Sequence, residues 1–179
     1  MVHQLHTRFT LKDLGELRQF LGVEVISTNS GLFWSQHTHI IDILLDQDMD
    51  GAKEVTTPMN TSTSIPPVEA TSSTNSTAFR RVVGKLQYLA MTQPDIAYAT
   101  NKLSQFMHNP SDDHWNAIKR LLRCLKGTIH HGLFLQKVQT LSLSTFSDSD
   151  WGGTNGYGRS TTGYAIYLGG NIISWKSAR

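Results

Sequence analysis

The stretch from Gly51 to Ser76 constrains this chain most. Thr and Ser dominate it, and Pro58, Pro66 and Pro67 interrupt any regular element. Proline fixes φ and lacks a backbone donor, so such a stretch neither continues a helix nor pairs into a sheet interior. The chain is therefore expected to fold as a short unit before an irregular linker and a longer unit after it. The hydroxyl density of the linker reads as solvation rather than as a run of phosphorylation sites.

Before the linker, Phe20 to Ile26 is apolar and β-branched, and Leu32 to Ser35 follows after Thr28-Asn29-Ser30-Gly31. Two such runs around a short polar loop predict a β-hairpin. His37 to Met49 then places Ile40, Ile41, Leu44 and Leu45 on one helical face. After the linker the spacing predicts three helices. The first covers about Ala78 to Met91, with Val82, Val83, Leu86, Leu89 and Ala90 on one side. The second opens at Pro94, runs to about Met107, and turns Ile96, Ala99, Leu103 and Phe106 inward. The third has Ser111 as N-cap, Asp112 and Asp113 in its first turn, a stripe of Trp115, Ile118, Leu122 and Leu125, and Gly127 as its stop.

Strand periodicity takes over beyond Gly127. Gly132 to Gln136, Leu141 to Ser147, Tyr164 to Leu168 and Asn171 to Trp175 predict an antiparallel meander, with Gly169-Gly170 as a tight hairpin turn. The fold class is α+β: a β-hairpin and helix, a Ser/Thr-rich linker, a three-helix bundle, then an antiparallel sheet.

Composition narrows the function. Sixteen basic residues against 14 acidic ones leave a formal charge of +2, so any contact with nucleic acid must come from local clusters. Two clusters stand out. Lys119, Arg123 and Lys126 share one helix face, with Arg120 nearby, and Arg80, Arg81 and Lys85 lie on the first helix after the linker. Such faces meet phosphates through charge and read no sequence, although an ordinary solvated helix face has the same pattern.

A single cysteine, Cys124, excludes an internal disulfide and a Cys-based zinc site, and its helical setting predicts a buried, inert thiol. The eight histidines are dispersed. The Gly-rich run at Gly152, Gly153, Gly156 and Gly158 lacks the Lys-Ser/Thr of a phosphate-binding loop. With no signal-like N-terminus and no membrane-length apolar run, the chain is expected in the cytoplasm or nucleus, with no membrane partner.

Several segments carry a resemblance when read together. They are Phe9 to Gly15 with Phe20 to Val25; Gly31 to Gln36; Phe79 to Leu89 (FRRVVGKLQYL); Pro94 to Ala99 (PDIAYA); His114 to Arg123 leading into Leu125 to Thr128; Phe146 to Gly153 (FSDSDWGG); and Arg159 to Tyr164. In this order they resemble copia-type LTR retrotransposon Pol polyproteins, from the late reverse transcriptase into the start of RNase H. The resemblance implies a palm remnant over 1–50, a linker over 51–76, thumb-like helices over 77–136, and the N-terminal strands of a truncated RNase H-like domain over 137–179.

It also implies roles for single residues. Phe20, Leu21 and Gly22 would belong to a primer grip, the basic helix residues would ride on an RNA–DNA or DNA template–primer duplex, and Asp148 would be the first metal-binding carboxylate of RNase H. The intact family enzyme uses Mg²⁺ ions clamped by several carboxylates. This chain contains no Tyr-x-Asp-Asp, and its Asp112-Asp113 pair opens a helix. It is thus expected to lack both catalytic activities, to hold no cofactor, and to retain at most template–primer affinity. The alternative is a host-recruited interaction protein with no nucleic-acid role.

Overall fold

The computed structural model describes residues 15–60, 75–150 and 160–178. The elements run β1 (Gln19–Phe20), β2 (Val23–Thr28), β3 (Gly31–Ser35), α1 (His37–Asp46), α2 (Ser76–Leu89), a 3-10 turn (Pro94–Ile96), α3 (Ala97–Ser104), α4 (Asp112–Gly127), β4 (Gly132–Gln136), β5 (Leu143–Ser149), β6 (Thr162–Leu168) and β7 (Asn171–Ala178). This is a mixed α/β architecture. The strands form two antiparallel sheets, ordered β1-β2-β3-β4 and β5-β6-β7.

Local chemistry sets most of these boundaries. The Asn75 side chain accepts from the backbone N–H groups of Thr77 and Ala78, satisfying two donors that the first turn of α2 leaves open. Ser111 and His114 form a capping box at the start of α4. The four helices bury one core, in which Ile40, Ile43, Phe79, Val82, Val83, Leu86, Leu89, Ile96, Leu103, Ile118, Leu121 and Leu125 are nearly inaccessible. Each such side chain contributes about 1.5–3 kcal/mol by leaving water.

Several expectations are corrected. Phe20 to Ile26 is not one strand. Leu21 (φ 48) and Gly22 (φ 75) make a two-residue turn inside the run, and Phe20 pairs with Val23 across it. Positive φ at both turn positions matches the twist of a tight hairpin, and that outweighed the apolar pattern. On α1, Ile43 is buried and Leu45 is 55% exposed. The buried stripe thus spaces by three and four residues, as helical geometry requires.

The second expected helix begins as a 3-10 turn at Pro94–Ile96 and its α-helical part ends at Ser104. Gly127 is the last residue of α4 and does not adopt a left-handed conformation; the Thr128 hydroxyl donates to the carbonyl of Cys124 instead. The strand expected over Leu141 to Ser147 is instead Leu143–Ser149, with both of its faces exposed.

The largest difference is one of pairing. Gly132–Gln136 does not join the C-terminal meander; it pairs with β3 in register Gly31↔Gln136 to Ser35↔Gly132. A Cβ on Gly132 would run into the carbonyl of Trp34, and one on Gly31 into that of Leu135. Glycine at both ends therefore lets the two strands close. The residues after α4 thus complete the N-terminal sheet and wrap the helices between its third and fourth strands.

The second sheet docks on this body through few polar contacts. Asn171 takes the backbone N–H of Gln136 at 2.7 Å and gives its amide to the Gln136 carbonyl at 2.9 Å. Trp175 donates its indole N–H to the Ala90 carbonyl at 2.9 Å. Asn101 reaches the Ser177 hydroxyl at 3.4 Å. Among the described residues no helix is long and apolar enough to cross a membrane.

Candidate nucleic-acid interface

The Phe20-Leu21-Gly22 turn projects from the first sheet with Phe20 61% and Leu21 69% exposed. It rests on α2, since a Cβ at Gly22 would lie 3.5 Å from the Tyr88 hydroxyl. Tyr88 meets the His39 ring edge-on, and His39 Nε2 lies 3.3 Å from the Lys85 carbonyl. Arg81, Lys85 and Tyr88 recur at helical spacing along α2. The structure thereby brings the apolar turn and part of the first basic cluster to one side of that helix. Leu17, 54% exposed just before β1, was not singled out from the sequence.

The cations of α2 differ in what they contact. Lys85 forms an ion pair with Asp46, whose carboxyl is held below its ordinary range by that hydrogen bond and by the Lys85 charge. Arg80 turns back along its own helix to the carbonyl and hydroxyl of Ser76. Arg81 is exposed.

The basic face of α4 is largely covered by the chain itself. Arg120 Nη2 donates to the Thr57 hydroxyl at 2.7 Å, Arg123 Nε to the Lys53 carbonyl at 2.5 Å, and Lys126 Nζ to the Ala52 carbonyl at 2.8 Å. The Val55 N–H donates to the Arg123 carbonyl. Residues 52–57 thus lie antiparallel to α4 as a strap. Lys119 alone of the four expected contacts on this helix is exposed. The expectation of a purely solvated linker therefore fails over this part, because buried or half-buried guanidinium donors need acceptors and the strap carbonyls supply them. Residues 61–74 lie outside the described residues.

Asp148 sits on β5 opposite Gly163, exposed to solvent. Asp150, just beyond the strand, accepts the backbone N–H of Thr161. Among the described residues no three His, Cys, Asp or Glu side chains stand close enough to hold a metal ion. Asp148 as placed does not fit a two-metal centre, which needs several convergent carboxylates. The glycine run at 152–158 falls outside the described residues.

Two buried groups complete the electrostatics. Burial pushes the Cys124 thiol up, with Asp95 adding to this and Arg120 opposing it, which keeps the thiol protonated and unreactive. A cleft of about 370 Å³ is lined by Phe33, Gln93, Asp95, His130 and His131. The amide of Gln93 is buried behind it without a partner among the described residues.

Comparison with known proteins gives a consistent set of relatives. The chain is 49% identical over 98% of its length to the retrovirus-related Pol polyprotein from transposon RE1 of Arabidopsis thaliana, and spans 12% of that protein. It is 34% identical over 97% of its length to the retrovirus-related Pol polyprotein from transposon TNT 1-94 of Nicotiana tabacum, and spans 14% of it. It is 41% identical over its whole length to the uncharacterized mitochondrial protein AtMg00810 of Arabidopsis thaliana, of which it makes up 74%. No family model matches. No solved structure matches.

Proposed function

The chain belongs to the copia-type, retrovirus-related Pol polyproteins, and from that premise we infer that it is a substrate-handling segment of such a protein, binding a template–primer duplex without catalysing polymerisation or RNA cleavage. The observation that carries this reading is the exposed Phe20-Leu21 turn seated on Tyr88, with Arg81 on the same helix. A protruding apolar tip beside a cation suits a duplex terminus, where bases offer stacking faces and phosphates offer charge. On this reading α2 to α4 act as the thumb, and β5 to β7 are the opening strands of an RNase H-like sheet. The sequence holds no Tyr-x-Asp-Asp, and among the described residues no cluster of three His, Cys, Asp or Glu side chains includes Asp148; both support the lack of turnover.

Salt dependence tests it. If all seven basic residues named above met phosphates, log K would fall with log[salt] at a slope of about −6. With Arg120, Arg123 and Lys126 engaged by the strap and Lys85 paired with Asp46, a slope of about −2 to −3 is expected for a primed RNA–DNA duplex. Binding that is absent, or indifferent to salt, overturns the reading. Turnover of a hybrid or a primed template in Mg²⁺ overturns the inactivity.

A second reading is favoured by β5, which is exposed along its whole length and, among the described residues, pairs only with β6. Such an edge accepts a further strand from a protein partner. A stable complex or self-association that leaves nucleic-acid binding at background selects it.

A further inference from the structure

We propose that Thr57 is a phosphoacceptor and that Arg120 forms the receptor for the phosphate it would carry. The proposal rests on the strap geometry and is independent of duplex binding. Thr57 is exposed in an irregular segment, and its hydroxyl already accepts from Arg120 Nη2 at 2.7 Å. The Arg120 Nε–H is buried and has no partner among the described residues.

These two donors lie on the same edge of the planar guanidinium, the edge that binds two oxygens of one oxyanion side by side. A hydroxyl offers one oxygen and leaves the second donor unmatched; a phosphate offers three. A buried donor without a partner is costly, so the site is better matched to an oxyanion than to the hydroxyl it holds. The strap is anchored independently at Lys53 and Ala52 by Arg123 and Lys126. A phosphate from outside must displace it, whereas one carried on Thr57 need not.

The sequence around Thr57 supplies access to a modifying enzyme. Of the chain's five prolines only Pro58 follows a Ser or Thr. Thr57-Pro58 is therefore the single dipeptide in this chain that a proline-directed Ser/Thr kinase would select. In the reaction the Thr57 oxygen attacks the γ-phosphorus of a nucleoside triphosphate. The new O–P bond forms, the bond to the nucleoside diphosphate breaks, and the hydroxyl proton leaves to the kinase base.

The experiment treats the full chain with a proline-directed kinase and ATP, locates the phosphate by mass spectrometry, and titrates it by ³¹P NMR. Phosphate at Thr57 is expected, titrating about one pH unit below the same phosphothreonine in a peptide spanning 51–60, because a facing guanidinium favours the dianion. Arg120→Gln is expected to abolish that difference. Arg120→Lys, which keeps the charge and loses the fork, is expected to reduce it and serves if the Gln variant fails to fold. The proposal is overturned if the folded chain stays unmodified while the peptide is phosphorylated. It is also overturned if the phosphate titrates alike in chain, variant and peptide.

Discussion

Burial makes His114 a pH-sensitive part of a helix cap. Its Nδ1 accepts the Ser111 N–H at 2.8 Å, and its ring stacks on Phe106 with centroids 3.8 Å apart. That acceptor role requires the neutral imidazole. Burial holds the group below its ordinary pKa, partly opposed by Asp113. A depressed histidine pKa means that the unfolded chain takes up the proton first. Stability should thus be complete above the unfolded value near 6.5 and fall as pH drops through it, by at most about 1.4 kcal/mol per pH unit. His114→Gln, which keeps a capping-box side chain, should flatten this loss; urea midpoints at pH 7.5 and 5.5 read it, and an equal loss in both proteins would refute the assignment. In the β1–β2 turn, Leu21 occupies a left-handed conformation that costs a non-glycine residue roughly 1–2 kcal/mol. Leu21→Asn should raise stability by about 1 kcal/mol in denaturant unfolding while weakening duplex binding. A variant that gains stability and binds unchanged would remove Leu21 from the interface.

At the scale of elements, the strap and the closing strand carry the structure's less obvious energetics. Three side chains of α4 hold residues 52–57. The Arg123→Ala substitution removes one of these charge-assisted bonds. Trypsin cleavage after Lys53 should then rise about tenfold, the equivalent of about 1.4 kcal/mol. Cleavage at the wild-type rate would mean that the strap is held by its packing alone. Gly132, where β4 meets β3, tolerates no side chain without moving the Trp34 carbonyl. Gly132→Ala should lower stability by about 2–3 kcal/mol, read from the denaturant midpoint, because the clash falls on backbone rather than on a side chain that can turn aside.

At the scale of the whole molecule, two sheets of unequal attachment share one helical body. The first is sewn to the helices by chain connection at both ends; the second is held by Trp175, Asn171 and Asn101. Trp175→Phe combined with Asn171→Ala should speed amide exchange across β5 to β7 and leave α2 and α4 protected, since cooperative units open separately when few contacts join them. Uniform loss of protection would show one cooperative unit instead. Periodicity, caps and turn residues settled much of this protein in advance. The Ser111 cap, the Pro94 start and the Gly169-Gly170 turn (φ 59 and 86) are all found where the sequence placed them. These features depend on residues within a turn or two of one another, and a short segment encodes them fully. The amino-acid sequence by itself therefore determined most element types, the core stripes of α2 to α4 and, through the ordered series from Phe9 to Tyr164, the family. The tertiary structure alone decided that Gly132–Gln136 pairs with β3, and that Arg120, Arg123 and Lys126 face the chain's own strap. A strand's hydrogen-bonding edge and a guanidinium's donors are the same whichever partner they meet. Which partner they find is decided by how the chain returns on itself after more than 60 residues.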